Sequence, residues 1–185
     1  MTKGVAVMIV LVGTGFLVGV SWRSLSRPRS HGFFRFFAFE ALLCLIVLNA
    51  GHWFVRPGAP TQLVSWLLLI ASLLLAIHGF YLLHAIGKPE APDPGSAALR
   101  FESTTTLVTV GAYRFIRHPL YASLLLGAWG TVLKHPSLLT VMLGATVTAL
   151  LVATAKVEEA ENLVRFGDPY REYMARTRSF IPFVL

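Results

Sequence analysis

A bilayer's hydrocarbon core of about 30 Å is crossed by a helix of about 17–25 mostly apolar residues, and this chain of 185 residues holds four or five runs that approach or meet that requirement. They lie near 5–20, 35–54, 62–84, 119–133 and 137–156, the fourth being the shortest. Backbone groups in lipid must find partners within their own segment, so the expected fold is all-α and polytopic, with about five transmembrane helices. With hydrophobic residues at 55% and charged residues at 14%, the composition is too apolar for a soluble domain of this size. Gly19-Val20-Ser21 resembles the end of a cleaved signal peptide, but Arg23, Arg27 and Arg29 follow at once. That is a stop-transfer pattern, so the first span is expected to be retained.

The net charge of +7 forms no stripe or fingerprint for nucleic acid. With the loop after the first span inside, the inside segments carry Arg23, Arg27, Arg29, Arg35, Lys88, Arg100, Arg114, Arg117, Lys156, Arg165, Arg171, Arg176 and Arg178, against Lys3, Arg56 and Lys134 outside. The positive-inside rule then predicts an outside N-terminus and a cytoplasmic C-terminus. The single cysteine, Cys44, excludes an intramolecular disulfide and a cysteine-rich metal site. His52, His78, His84 and His135 show no metal-binding spacing and read as interfacial or packing residues, so no metal is expected. Trp53, Trp66 and Trp129 suit interface belts or cavity walls.

A turn-rich stretch at 87–96 ends the third helix and divides the chain into 1–86, three helices forming a scaffold and substrate cavity, and 87–185. The connection from there to Pro119 is long, and Leu99, Phe101, Leu107, Val108, Tyr113, Phe115 and Ile116 equip it to pack as an ordered cytoplasmic lid or floor. In the tail, Gly167 is expected to stop the fifth helix, and Asp168-Pro169 to cap and start an amphipathic C-terminal helix with Tyr170, Tyr173, Met174 and Thr177 on one face. Gly15 and Gly19 lie within the first apolar run, a spacing expected to serve helix packing and not a phosphate cradle.

The densest polar motif is Arg117-His118-Pro119-x-Tyr121, set directly before the fourth apolar run. Proline pushes the preceding residue out of the α region, so Pro119 is expected as the first helical residue, with His118 just outside. The helix then presents free N–H groups and its positive dipole end beside Arg117 and His118, a place for an anionic group.

Leu107-Val108-Thr109-x-Gly111-x-Tyr113 leading into that motif, followed by Glu158-Glu159, Phe166-Gly167-x-x-Tyr170-x-x-Tyr173 and Arg176 before Ile181-Pro182-Phe183, resembles the isoprenylcysteine carboxyl methyltransferase family and its bacterial and archaeal relatives. The resemblance covers about 100–185; Asn162 and Arg178 depart from it, standing where leucine and proline are usual. It implies an S-adenosylmethionine-dependent methyltransferase within the membrane, releasing S-adenosylhomocysteine, with neither a Rossmann domain nor a metal. It also implies that 87–185 binds the cofactor on the cytoplasmic side, that a lipophilic acceptor enters from the bilayer, and that the home of the chain is a prokaryotic inner membrane.

Methyl transfer from a sulfonium is an in-line displacement in which the donor carries the chemistry and the protein positions and desolvates the partners. His118 and the helix terminus at Pro119 are candidates for the cofactor carboxylate, with Val108, Gly111, Tyr113 and Tyr121 around the same mouth. Arg117 and Arg176 form a natural clamp for a substrate carboxylate, since guanidinium binds it through a planar fork; Arg176 also has Glu172 one helical turn before it, an alternative partner. Glu159 is expected to accept from the cofactor or orient Arg176, with Glu158 about 100° away around the helix. Glu161 reads as a solvated pair with Arg165. Glu40, inside an apolar span, is assigned to the substrate cavity or else to protonation or an interhelical hydrogen bond. Carboxyl O-methylation of a lipophilic or small acceptor is the leading expectation. S- or N-methylation of a small thiol or phospholipid amine is the alternative, and an NADPH-dependent membrane reductase or a non-enzymatic scaffold the reading from another class.

Overall fold

The computed structural model describes residues 2–90, 99 and 102–182; Arg100, Phe101, Phe183 and the 91–96 part of the turn-rich stretch lie outside them. Six α-helices account for the described chain: α1 (Lys3–Leu25), α2 (His31–Asn49), α3 (Pro60–Ala85), α4 (Pro119–Val132), α5 (Leu138–Phe166) and α6 (Asp168–Arg176). Four are long and apolar enough to cross a membrane, and α4 is a shorter apolar helix. At 1.5 Å per residue, α4 with its 14 residues reaches only about 21 Å, short of the length that crosses a hydrocarbon core upright. The 29 residues of α5 extend about 43 Å, longer than a hydrocarbon core of about 30 Å.

Local chemistry sets the helix starts. The hydroxyls of Thr2, Ser30 and Ser137 accept from the first-turn amides of α1, α2 and α5. Pro60 and Pro119 open α3 and α4, where a missing N–H costs nothing. Gly167, at φ +62°, is both the end of α5 and the N-cap of α6. Asp168 therefore stands one position later than expected, inside the helix, where it pairs with Arg171 at 3.4 Å.

The helices pack in the order α3, α4, α5, α2, α1, with α2 also touching α4. Ala38 and Leu45 of α2, Tyr121, Ala128 and Val132 of α4, and Val147, Leu151 and Ala155 of α5 form the core. The α3–α4 seam is tightest at Gly130, whose Cα faces the Ser65 carbonyl and Leu69; the Ser65 hydroxyl donates to the Gly130 carbonyl at 2.6 Å. At the end where α4 turns into α5, buried Lys134 donates to Gln62 Oε1 at 3.1 Å and lies 3.5 Å from the Trp66 ring centroid. Burial pulls its ammonium below the usual lysine range, and the ring face offsets part of the desolvation. His52 and His135 stack beside it with ring centroids 4.0 Å apart.

Two expectations about the N-terminal half are corrected. Gly15 and Gly19 face open space, and Gly13 is the glycine pressed against α2, at Leu43. Glu40 is absent from the large cavity's lining and accepts from Thr14 of α1 at 2.9 Å, an interhelical hydrogen bond. A bulky side chain at position 130 must displace backbone and Leu69, so Gly130→Leu is expected to lower stability in detergent by about 1–3 kcal/mol. Gly19→Leu should change it by no more than about 0.5 kcal/mol, both read by thermal unfolding; equal effects would relocate the tight seam.

Candidate active site

A cavity of about 490 Å³ opens at the end of the bundle where α2 and α4 begin and α3 and α5 finish. The chain between α3 and α4 forms one wall. It is tied back by the Gly87 carbonyl, which accepts from the amides of Thr105 and Thr106, and it turns at Gly111, φ +58°, where a Cβ would meet His78 Nε2 and Leu82 at 2.6 Å. Only glycine fits that turn. Its buried hydrophobic residues are Val108, Tyr113 and Ile116.

The opposite wall is the tail. The parallel bridge of Ile116 to Arg178 docks it on the chain before α4, with the amides of Arg117 and His118 donating to the carbonyls of Arg178 and Ser179 at 2.7 and 3.1 Å. The Arg178 amide donates to Phe115 in return, at 3.1 Å, a bond that the proline usual at this position lacks. Tyr173 hydroxyl donates to the Tyr113 carbonyl at 2.7 Å, joining the two walls.

Glu159 holds this arrangement. Its Oε1 accepts from Arg117 Nε at 2.6 Å, His118 Nε2 at 3.1 Å and Ser179 Oγ at 3.2 Å. The rest of the Arg117 guanidinium turns to the tail, donating to the Thr177 carbonyl at 2.6 Å, the Met174 carbonyl at 3.3 Å and Ser179 Oγ at 2.9 Å. Its neighbour Glu158 takes the other role and lines the cavity, its Oε2 accepting from the Tyr121 hydroxyl at 2.6 Å.

A second cluster, whose pairings sequence reasoning did not foresee, braces the cavity as well. Buried Arg35 donates to Glu102 Oε1; Glu102 Oε2 accepts from the Leu99 amide at 2.8 Å and faces His31 Nε2 at 3.4 Å. His31 in turn meets Glu161 at 2.5 Å. Glu161 is thus the partner of His31, not a solvated pair with Arg165. Burial works to raise the Glu102 carboxyl, but the Arg35 guanidinium and His31 more than offset it and hold it at about 2. Burial, with Glu158 nearby, pushes the Tyr113 phenol up, and burial does the same to Tyr170 and Tyr173, so all three remain neutral donors.

Of the candidate residues, Val108, Tyr113, Arg117, His118 and Tyr121 line the cavity, as do the unforeseen Arg35, Glu102, Glu158 and Asn162. His118 caps α4 and Pro119 is its first residue, as the motif predicts. Pro119 and Gly111 shape the wall from behind, and Glu159 sits outside the lining as the tail's anchor. Arg176 is exposed at the end of α6 and is not part of the cavity lining that Arg117 joins.

A family model described as "Phospholipid methyltransferase" matches residues 61–166, more than half of the chain. The chain is also 27% identical, over 173 residues, to a protein of Bradyrhizobium diazoefficiens named methanethiol S-methyltransferase 1. That similarity covers 85% of this chain and 56% of the relative, so the chain spans little more than half the relative's length. No solved structure matches the chain significantly.

Removing the carboxylate that faces buried Arg35 exposes the energetics of the second cluster. Glu102→Gln is expected to cost about 3–5 kcal/mol near neutral pH. A carboxyl held below its unfolded value of about 4.3 stabilises the fold above that pH and loses the contribution as pH falls through its folded value. The gap between wild type and variant should therefore close between about pH 5 and pH 2, measured by thermal unfolding across that range. A gap independent of pH would show that the charge is not what matters.

Proposed function

The chain belongs to the phospholipid methyltransferase family, and on that premise we propose that it is a membrane methyltransferase carrying a methyl group from S-adenosylmethionine to a small thiol. The observation that carries this reading is the charge arrangement around the cavity. Its carboxylate Glu158, engaged at Oε2 alone among the described residues, and four tyrosines, Tyr113, Tyr121, Tyr170 and Tyr173, suit a cofactor bearing sulfonium and ammonium cations, which carboxylates and aromatic faces attract. Its two arginines are already engaged, Arg35 with Glu102 and Arg117 with Glu159 and the tail. A pyridine dinucleotide with its phosphates asks for the reverse, several uncommitted cations. That counts against a reductase.

His118 and the first-turn amides of α4 would hold the single carboxylate of the cofactor, while Phe39, Ile77, Leu120 and Leu124 offer an apolar wall to the acceptor. When bound, the cofactor supplies an activated methyl group; the chain's residues orient it, exclude water and leave room for a nucleophile in line. Single-ligand pockets run from about 300 to 1,000 Å³, and this cavity of about 490 Å³ has space for the cofactor and a small acceptor. With Arg117 committed and Arg176 outside, no arginine fork awaits a carboxylate, so carboxyl O-methylation ranks below S-methylation, the reaction that the Bradyrhizobium relative's name states. N-methylation of a phospholipid amine is the second reading, favoured by the family description. The division into an acceptor-side half, 1–86, and a cofactor-side half, 87–185, and a cytoplasmic position for the site, complete the proposal; the positive charge clustered at this end of the bundle supports that orientation.

Calorimetry on protein in lipid nanodiscs, with chelator present, should show binding of S-adenosylhomocysteine and none of NADPH. Incubation with S-adenosylmethionine and an alkanethiol should yield the methyl thioether, with no ester from a fatty acid. Binding of NADPH alone would overturn the enzyme class, and ester without thioether would overturn the acceptor.

A further inference from the structure

A thiol acceptor must lose a proton, and the adjacent carboxylates at the end of α5 differ sharply in their capacity to take it. Glu159 Oε1 is saturated by Arg117, His118 and Ser179. Glu158 lines the cavity with its side chain 24% exposed, and Tyr121 holds only its Oε2. Oε1 has no hydrogen-bond partner among the described residues. His118 Nδ1 lies 4.0 Å from Oε2. A carboxylate fixed at one oxygen, open at the other, and bordering both cavity and solvent has the geometry of a general base.

We propose that Glu158 is the catalytic base of this site, a role that rests on the thiol reading above. The thiol S–H bond breaks and its proton passes to Glu158 Oε1. The freed sulfur pair forms the S–C bond to the methyl carbon as the carbon–sulfonium bond breaks, its electron pair leaving on the demethylated thioether. Glu158 then returns the proton to water at its exposed edge. Tyr121 positions the carboxylate, and Arg35, Glu102 and Arg117 complete the charged lining.

The test compares wild type, Glu158→Gln and Tyr121→Phe with two acceptors: an alkanethiol, protonated near neutral pH, and an arenethiol acidic enough to be ionised there. At saturating S-adenosylmethionine, the saturating concentration being set for each variant by calorimetry, Glu158→Gln should lower alkanethiol turnover by about 10²–10⁴-fold and arenethiol turnover far less. Tyr121→Phe should show the same pattern in weaker form. Equal losses for the two thiols would assign Glu158 to structure or cofactor binding and overturn the proposal. Failure of wild type to methylate either thiol would instead overturn the acceptor reading.

Discussion

One carboxylate oxygen, Glu159 Oε1, joins three parts of the chain far apart in sequence: Arg117 and His118 before α4, the end of α5, and Ser179 in the tail. Bonds of this charge-assisted kind contribute about 1.5–3 kcal/mol each. A half-buried arginine or glutamate left alone here would be costly, so the two charges require each other. Their pairing sets the tail against the chain before α4, and Tyr170 and Tyr173 thereby become walls of the cavity.

The Arg35, Glu102, His31 and Glu161 cluster does the corresponding work on the other side, tying the chain between α3 and α4 to α2 and α5. Both clusters lie at one end of the bundle. Between them they frame an apolar-walled cavity with polar chemistry at its mouth, which suits a charged cofactor from water and an oily or small acceptor from lipid. The short helix α4 fits this plan: its first turn must reach the cavity, and the core residues Tyr121, Ala128 and Val132 fill its length against α2 and α5.

Much of this was legible in the sequence because it is encoded locally. Pro119 fixes a helix start, Gly167 a stop, and the apolar runs the helices. Tyr170 and Tyr173 lie one turn apart on a short helix and share its buried face. The partners of charged groups were not legible, because Arg35 and Glu102 stand 67 positions apart and His31 and Glu161 130; no spacing rule links such residues before the helices are docked. Local pairing misled for the same reason. Glu161 had Arg165 one turn away and took His31, and Arg176, the expected clamp, ends on the outside of α6. Which of Glu158 and Glu159 faces the cavity depends on the rotation of α5, which the core residues Val147, Leu151 and Ala155 decide.

The central claim, that docking of the tail through Glu159 builds the cofactor site, is tested most directly at Ser179, which bonds Glu159 yet lies outside the cavity lining. Ser179→Leu removes the hydroxyl that bonds both Glu159 and Arg117 and sets an apolar side chain between them. The variant should be cut by trypsin after the exposed Arg176 and Arg178 faster than wild type, and its affinity for S-adenosylhomocysteine should fall in the same preparation. A tail released to trypsin with that affinity unchanged would contradict the account.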